Sequence, residues 1–145
     1  MSDNQTQTPP PTQPPPASPS APAPGSPESQ ARTWNMLCHL SALAGFVIPF
    51  GNILGPLLVW QIKKNEIPSV NIHGKAALNF QITVVIALLA GMAVAILLSF
   101  VCIGFLLIPV VMLIGLAGLI FAIVAGIKAN NGEDYKYPFS LELVK

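Results

Sequence analysis

The sequence predicts an all-α integral membrane fold: a helical bundle of four apolar segments behind a disordered, proline-rich N-terminal tail. Three observations carry that prediction. Between Lys75 and Lys128 there is no Asp, Glu, Lys or Arg, and between Arg32 and Lys63 there is none either. A soluble helix needs a polar face, and these stretches have nothing from which to build one; uncharged apolar runs of about 18 residues or more read as membrane spans. Composition agrees, with 52% hydrophobic and 9% charged residues against about 25% charged in an average soluble chain. Finally, Pro, Gly and Asn cluster at intervals that cut the apolar sequence into helix-sized pieces.

Residues 1–30 hold ten of the fifteen prolines, interleaved with Ser, Thr, Gln and Ala. Such a segment cannot bury enough apolar area to offset its chain entropy, so a disordered spacer with polyproline-II character is expected. Its PxxP spacings, Pro11 to Pro14 and Pro24 to Pro27, suit an SH3-like groove, but so dense a tract produces them by composition alone. No charged start followed by a short apolar core opens the chain, so insertion is expected to use the internal helices.

The first apolar block runs from about residue 29 to 64, and its middle, Ile48-Pro49-Phe50-Gly51-Asn52-Ile53-Leu54-Gly55-Pro56, is rich in helix breakers. One helix from Trp34 to Ile62 would be about 43 Å long, against a hydrocarbon core of roughly 30 Å. Two readings fit. The block is either one kinked, tilted span or a hairpin of helices over about 30–49 and 52–65, turning at Phe50-Gly51-Asn52. The second arm of that hairpin, about 20 Å long, would be steeply re-entrant or would thin the bilayer locally.

A polar connector containing Pro68 leads to a third helix, expected from Ser69 or Val70 to about Val101, with its first turns in the headgroup region. Gly104 breaks the run, and Pro109 suits the first turn of a fourth helix, where its missing N–H costs nothing. That helix should end at Asn130-Asn131-Gly132, residue types that accept a left-handed cap. As one helix, residues 77–127 would extend about 76 Å, so the stretch must fold back once. Residues 133–145, with Tyr135, Tyr137 and Phe139 alternating, read as an interfacial tail. The expected organisation is a tail over 1–30, a transmembrane helical domain over 31–132 and a C-terminal tail over 133–145.

All seven Lys and Arg lie in the N-terminal flank, the 63–75 connector or the C-terminal flank. With a hairpin, both termini and the connector share one side and every positive charge is cytoplasmic. With three spans, Arg32 and the tail must cross. The positive-inside tendency therefore prefers the hairpin, with both termini cytoplasmic.

Intramembrane polar side chains call for a functional hypothesis. The candidates are Asn35, His39 and Ser41 on the first helix and Asn79, Gln81 and Thr83 on the third. Asn35 and His39 are spaced i, i+4 and share a face. Two uses compete, hydrogen bonding between helices or lining a polar path. His39 and His73 have no carboxylate or Cys at metal-ligand spacing, so no metal or cofactor is expected. Cys38 and Cys102 read as small apolar filler. No Ser, Cys or Thr has a recognisable base, and all six carboxylates lie outside the spans, which argues against an enzyme. A net charge of +1 gives no basic surface for nucleic acid. Small residues recur every four positions at Thr83, Ala87, Gly91, Ala95 and Ser99, and again at Gly118, Ala122 and Gly126. Such rows let helix backbones approach closely in lipid.

The runs Leu37-Cys38-His39-Leu40-Ser41-Ala42-Leu43 and Ile48-Pro49-Phe50-Gly51-Asn52-Ile53-Leu54-Gly55-Pro56 resemble those of a bacterial family of small membrane proteins. So do His73-Gly74-Lys75-Ala76-Ala77-Leu78-Asn79-Phe80-Gln81 and the closing Ile127-Lys128-Ala129-Asn130-Asn131-Gly132-Glu133-Asp134-Tyr135-Lys136-Tyr137-Pro138. The family is grouped with the magnetosome membrane proteins MamF and MmsF and, more remotely, with the import component of the chloroplast inner-envelope translocon. The resemblance covers about residues 33–145. It implies four helices with both termini on one side; Ala76 stands where an acidic residue often follows the His-Gly-Lys. The expected role is a non-enzymatic membrane component, in contact with lipid, that assembles with itself or with other membrane proteins. The alternative is a small transport or translocation element whose polar helix faces line a path.

Overall fold

A computed structural model describes residues 22–100 and 103–145. The elements run α1 (Pro27–Leu40), a 3-10 helix (Ser41–Phe46), α2 (Gly51–Lys63), α3 (Pro68–Ser99) and α4 (Gly104–Asn130). An extended C-terminal segment follows, and no strand occurs among the described residues. Most of the expected proline-rich tail, residues 1–21, lies outside the described residues, as does Cys102.

The first helix begins inside the stretch assigned to the tail. Ser26 accepts a hydrogen bond from the Ser29 N–H at 3.1 Å, Pro27 fills the first turn and Glu28 follows it, a capped and charge-matched start. At Ser41 the helix tightens into the 3-10 form, and the chain reverses over residues 47–50, two to three positions before the expected turn at 50–52. The N–H groups of Val47 and Ile48 both donate to the Ala44 carbonyl, and that of Gly51 donates to Ile48. Phe50 sits at φ 60°, in the left-handed region that side chains seldom adopt.

Two glycines then bring α2 against the 3-10 helix. A Cβ on Gly51 would run into the Ala44 carbonyl oxygen, and one on Gly55 into that of Ser41. The first block is thus a tight hairpin of two arms rather than one kinked helix. Pro56, a breaker in the sequence reading, lies inside α2 and is fully buried. Its missing N–H leaves one helical bond unmade and does not end the helix.

Among the described residues, α3 and α4 are the two helices long and apolar enough to cross a membrane; α1 and α2, at 14 and 13 residues, are shorter. α4 starts at once, at Gly104, so Pro109 falls within the helix rather than in its first turn. The reason is the closeness of the reversal: a Cβ on Gly104 would collide with the Ala95 carbonyl oxygen. On either side of the turn, Leu97, Phe105, Leu106 and Met112 are 70, 65, 75 and 71% exposed. Side chains of this size and number on facing helices suit acyl chains rather than water.

The rows of small residues lie in these helix contacts. A Cβ on Gly91 would stand 2.9 Å from a Val111 methyl, and one on Gly118 3.1 Å from Val84. Ala95 and Ala122 are buried, Ala87 and Ser99 partly so. Gly126 faces α1, where a Cβ would meet the Leu40 side chain at 2.9 Å. At the α4 C-terminus Gly132 takes φ 83° and the Glu133 N–H reaches back 3.0 Å to the Lys128 carbonyl, the left-handed cap that the Asn-Asn-Gly run anticipates. The C-terminal segment does more than rest at an interface. Tyr137 is only 5% exposed and joins Phe80 and Ala125 in the core.

Candidate functional site

The polar candidates converge where α1, the first turns of α3 and the C-terminal segment meet. α1 and α3 lie side by side in a fixed register. Ser69 Oγ donates to Asn35 Oδ1 at 3.0 Å, and one turn further His39 Nε2 lies 3.1 Å from His73 Nδ1. Both pairs are 34 residues apart. Two residues spaced i, i+4 on one helix therefore meet two with the same spacing on the other, as successive rungs.

The histidine pair extends at both ends. His39 Nδ1 is 2.8 Å from the Tyr137 hydroxyl, and His73 Nε2 is 3.3 Å from Asp134 Oδ1. One assignment of protons satisfies all three contacts with neutral rings. Tyr137 O–H donates to His39 Nδ1, His39 Nε2–H donates to His73 Nδ1, and His73 Nε2–H donates to the Asp134 carboxylate. Burial pushes the Tyr137 phenol above its ordinary range, so it keeps the proton that the chain needs. His39 is fully buried, while the Asp134 side chain is 82% exposed, so the chain runs from the interior to the surface. The Tyr137 ring stacks on Phe80 with centroids 3.9 Å apart and planes 13° from parallel, and Tyr135 meets it edge-on at 5.1 Å.

Asn79 and Thr83 hold the C-terminal segment. Asn79 Oδ1 accepts from the N–H groups of Leu143 at 2.9 Å and Val144 at 2.6 Å. Its amide nitrogen donates to the Val144 carbonyl at 3.1 Å. Thr83 Oγ1 donates to the Asn79 carbonyl within α3 at 2.7 Å and accepts from the Leu141 N–H at 2.9 Å. An extended backbone against a helix has no ladder to join, and these side chains supply the partners it lacks. Gln81 turns the other way, accepting from Asn52 of α2 at 3.4 Å.

Near the same end, Trp60 Nε1 donates to Asn71 at 2.9 Å, and its ring occupies the space that a Gly74 side chain would need. Lys63 lies over the Trp34 ring at 5.1 Å and Lys64 over that of Trp60 at 4.8 Å. Cation–π pairs of this kind place charge and ring together at one level.

The structure thus brings Asn35, His39, Asn79, Gln81 and Thr83 into internal hydrogen bonds, each with a partner on another element. Ser41 bonds locally, to the Cys38 carbonyl at 3.4 Å, and Cys38 is buried. Sequence reasoning weighed the histidines singly and missed that they pair. It read Tyr137 as an interfacial aromatic and did not count Tyr137 or Asp134 among the site residues. A signal for the pair was present: Asn35/His39 and Ser69/His73 are two polar i, i+4 pairs, one on each of two helices. Nothing local marked Asp134 or Tyr137, whose roles depend on the C-terminal segment folding back. Among the described residues, no three His, Cys, Asp or Glu side chains form a group that could hold a metal ion. As it stands the arrangement can pass or store a proton and tie three elements together.

The family model of MamF/MmsF, described as the magnetosome magnetite crystal formation protein family, matches residues 30–144. The match takes in every helix of the bundle and nearly all of the C-terminal segment, and the chain belongs to this family. No curated protein and no solved structure matches it. Family membership, together with two span-length apolar helices, identifies a membrane protein.

Proposed function

We propose that this member of the MamF/MmsF family is a non-enzymatic structural component of a bacterial membrane, which assembles with itself or with other membrane proteins through the lipid-exposed faces of α3 and α4. One observation carries the reading. The polar side chains that could line a path or act on a substrate are instead bonded to one another and to the C-terminal segment, from Asn35–Ser69 through His39–His73 to Asn79 and its three partners. What remains for interaction is apolar helix surface. The family description, magnetite crystal formation, supports a role in building a membrane-bound assembly. Both termini and the connector lie on the cytoplasmic side in this reading, since Arg32, Lys63, Lys64, Lys75, Lys128 and Lys136 cluster at one end of the bundle.

Cross-linking in native membranes tests it. Photoreactive side chains at Leu97, Met112 and Leu113, all exposed, should give discrete products with a second copy or with defined membrane proteins, and one at Cys38 should give none. If Leu97, Met112 and Leu113 yield only lipid adducts, the assembly role is wrong. The transport alternative predicts solute flux in proteoliposomes, and the bonded state of the polar groups predicts its absence.

A further inference from the structure

We propose that the α1–α2 hairpin is a one-leaflet wedge, inserted from the charged end to about the middle of the bilayer, so that the protein fills more area in that leaflet than in the other. The inference rests on the membrane reading alone and not on any assembly role. Its first support is the turn itself. Phe46, Val47, Ile48 and Phe50 are 76, 84, 54 and 70% exposed, at a reversal where a water-facing loop would carry polar residues. Acyl chains are the surroundings that suit them.

Depth comes from what the hairpin touches. Asn52, just past the turn, bonds Gln81, and Phe46 lines one cavity together with Leu88 and Met92. Gln81, Leu88 and Met92 precede the end of α3 at Ser99 by about five, three and two turns, so the tip stops roughly 10–27 Å short of the α3–α4 reversal. With that reversal at the far surface of a hydrocarbon layer about 30 Å thick, the tip ends inside the layer and reaches no more than about 5 Å past its midplane.

The base and the backbone fit the same placement. Lys63 and Lys64 close α2, each over a tryptophan ring, a combination suited to anionic headgroups. A turn in hydrocarbon must satisfy its own donors, because no water is there to do so. The N–H groups of Val47, Ile48, Gly51, Ile53 and Leu54 all bond to carbonyls of the turn and its flanks. Two hairpin arms and two spans therefore share the leaflet at the charged end, and two spans alone occupy the other. Such a molecule relieves packing stress where the membrane is convex on the charged side.

Paramagnetic accessibility of the reconstituted full chain tests the depth. With Cys38→Ala and Cys102→Ala as background, a spin label at Val47→Cys should be accessible to oxygen and closed to a water-soluble nickel chelate, matching a label at Met112→Cys. A Val47→Cys label as open to the chelate as one at Ile103→Cys would overturn the proposal, whether the hairpin crosses or lies on the surface. The unmodified protein gives the second arm. With its charged end outward, its density per lipid area should be several-fold higher on small, strongly curved vesicles than on large ones. Equal densities, or a preference for large vesicles, would overturn the wedge.

Discussion

Replacing Asn79 by Ala removes the one side chain that satisfies three backbone groups of the C-terminal segment, the N–H groups of Leu143 and Val144 and the Val144 carbonyl. Each such bond contributes about 0.5–1.5 kcal/mol net, so the loss if the segment stayed in place would be on the order of 2–4 kcal/mol. The segment need not stay. Residues 141–145 can lift from α3 and hydrate, while Tyr137, buried and stacked on Phe80, keeps the preceding stretch docked. The expected effect is therefore local opening rather than global unfolding. Hydrogen exchange of the C-terminal peptide in lipid nanodiscs reads it directly. At 1.4 kcal/mol per tenfold, protection at Leu143 and Val144 should fall roughly 30-fold to several-hundred-fold, with peptides from α4 unchanged. Thr83→Ala, which removes one bond to Leu141, should cost only about tenfold there. Unchanged protection at Leu143 and Val144 in Asn79→Ala would refute the clamp.

Other perturbations follow from the same geometry. Gly55→Ala places a Cβ against the Ser41 carbonyl oxygen and should lower stability by about 1–3 kcal/mol or more in thermal unfolding. Gly115→Ala, whose Cβ would meet only Leu88 at 3.8 Å, should be near neutral. Ser26→Ala removes the cap of α1 and should raise amide exchange at Ser29 and Gln30 by an amount equivalent to about 1 kcal/mol. Tyr137 titrates above its ordinary value in the folded state, so beyond pH of about 10 the unfolded chain binds fewer protons than the folded one and stability falls as pH rises. Tyr137→Phe should remove that alkaline loss while lowering stability at neutral pH, because His39 Nδ1 is left without its donor; an unaltered alkaline slope of Tm would refute the assignment.

The sequence was most informative where composition decides. Absence of charge from Lys75 to Lys128 marked the α3–α4 pair, and Asn-Asn-Gly marked its end. Elsewhere tertiary contact overruled local signals. Pro109 looked like a boundary and lies inside a helix, because the close contact at Gly104 sets where α4 begins. Ser26 and Pro27 carried a start signal that the surrounding proline-rich composition hid. At the candidate site, Asn35 and His39 were visible as one face, and Asn79, Gln81 and Thr83 as intramembrane polar groups. Their partners were not visible, since Asn79 meets Val144 across 65 positions and His39 meets Tyr137 across 98. Pairings over such separations depend on how the helices pack, and no local pattern encodes them.

The account stands on the claim that these polar side chains hold the bundle together and do not line a route through it. Single cysteines at Asn35 and Gln81, which take no part in holding the C-terminal segment, probed in intact membranes with a water-soluble thiol reagent against a control at the exposed Asn130, test that claim most directly. Rapid modification at Asn130 with protection at the other two is the predicted result. Labelling at Asn35 and Gln81 as fast as at Asn130 would mean that water enters between the helices and would contradict it.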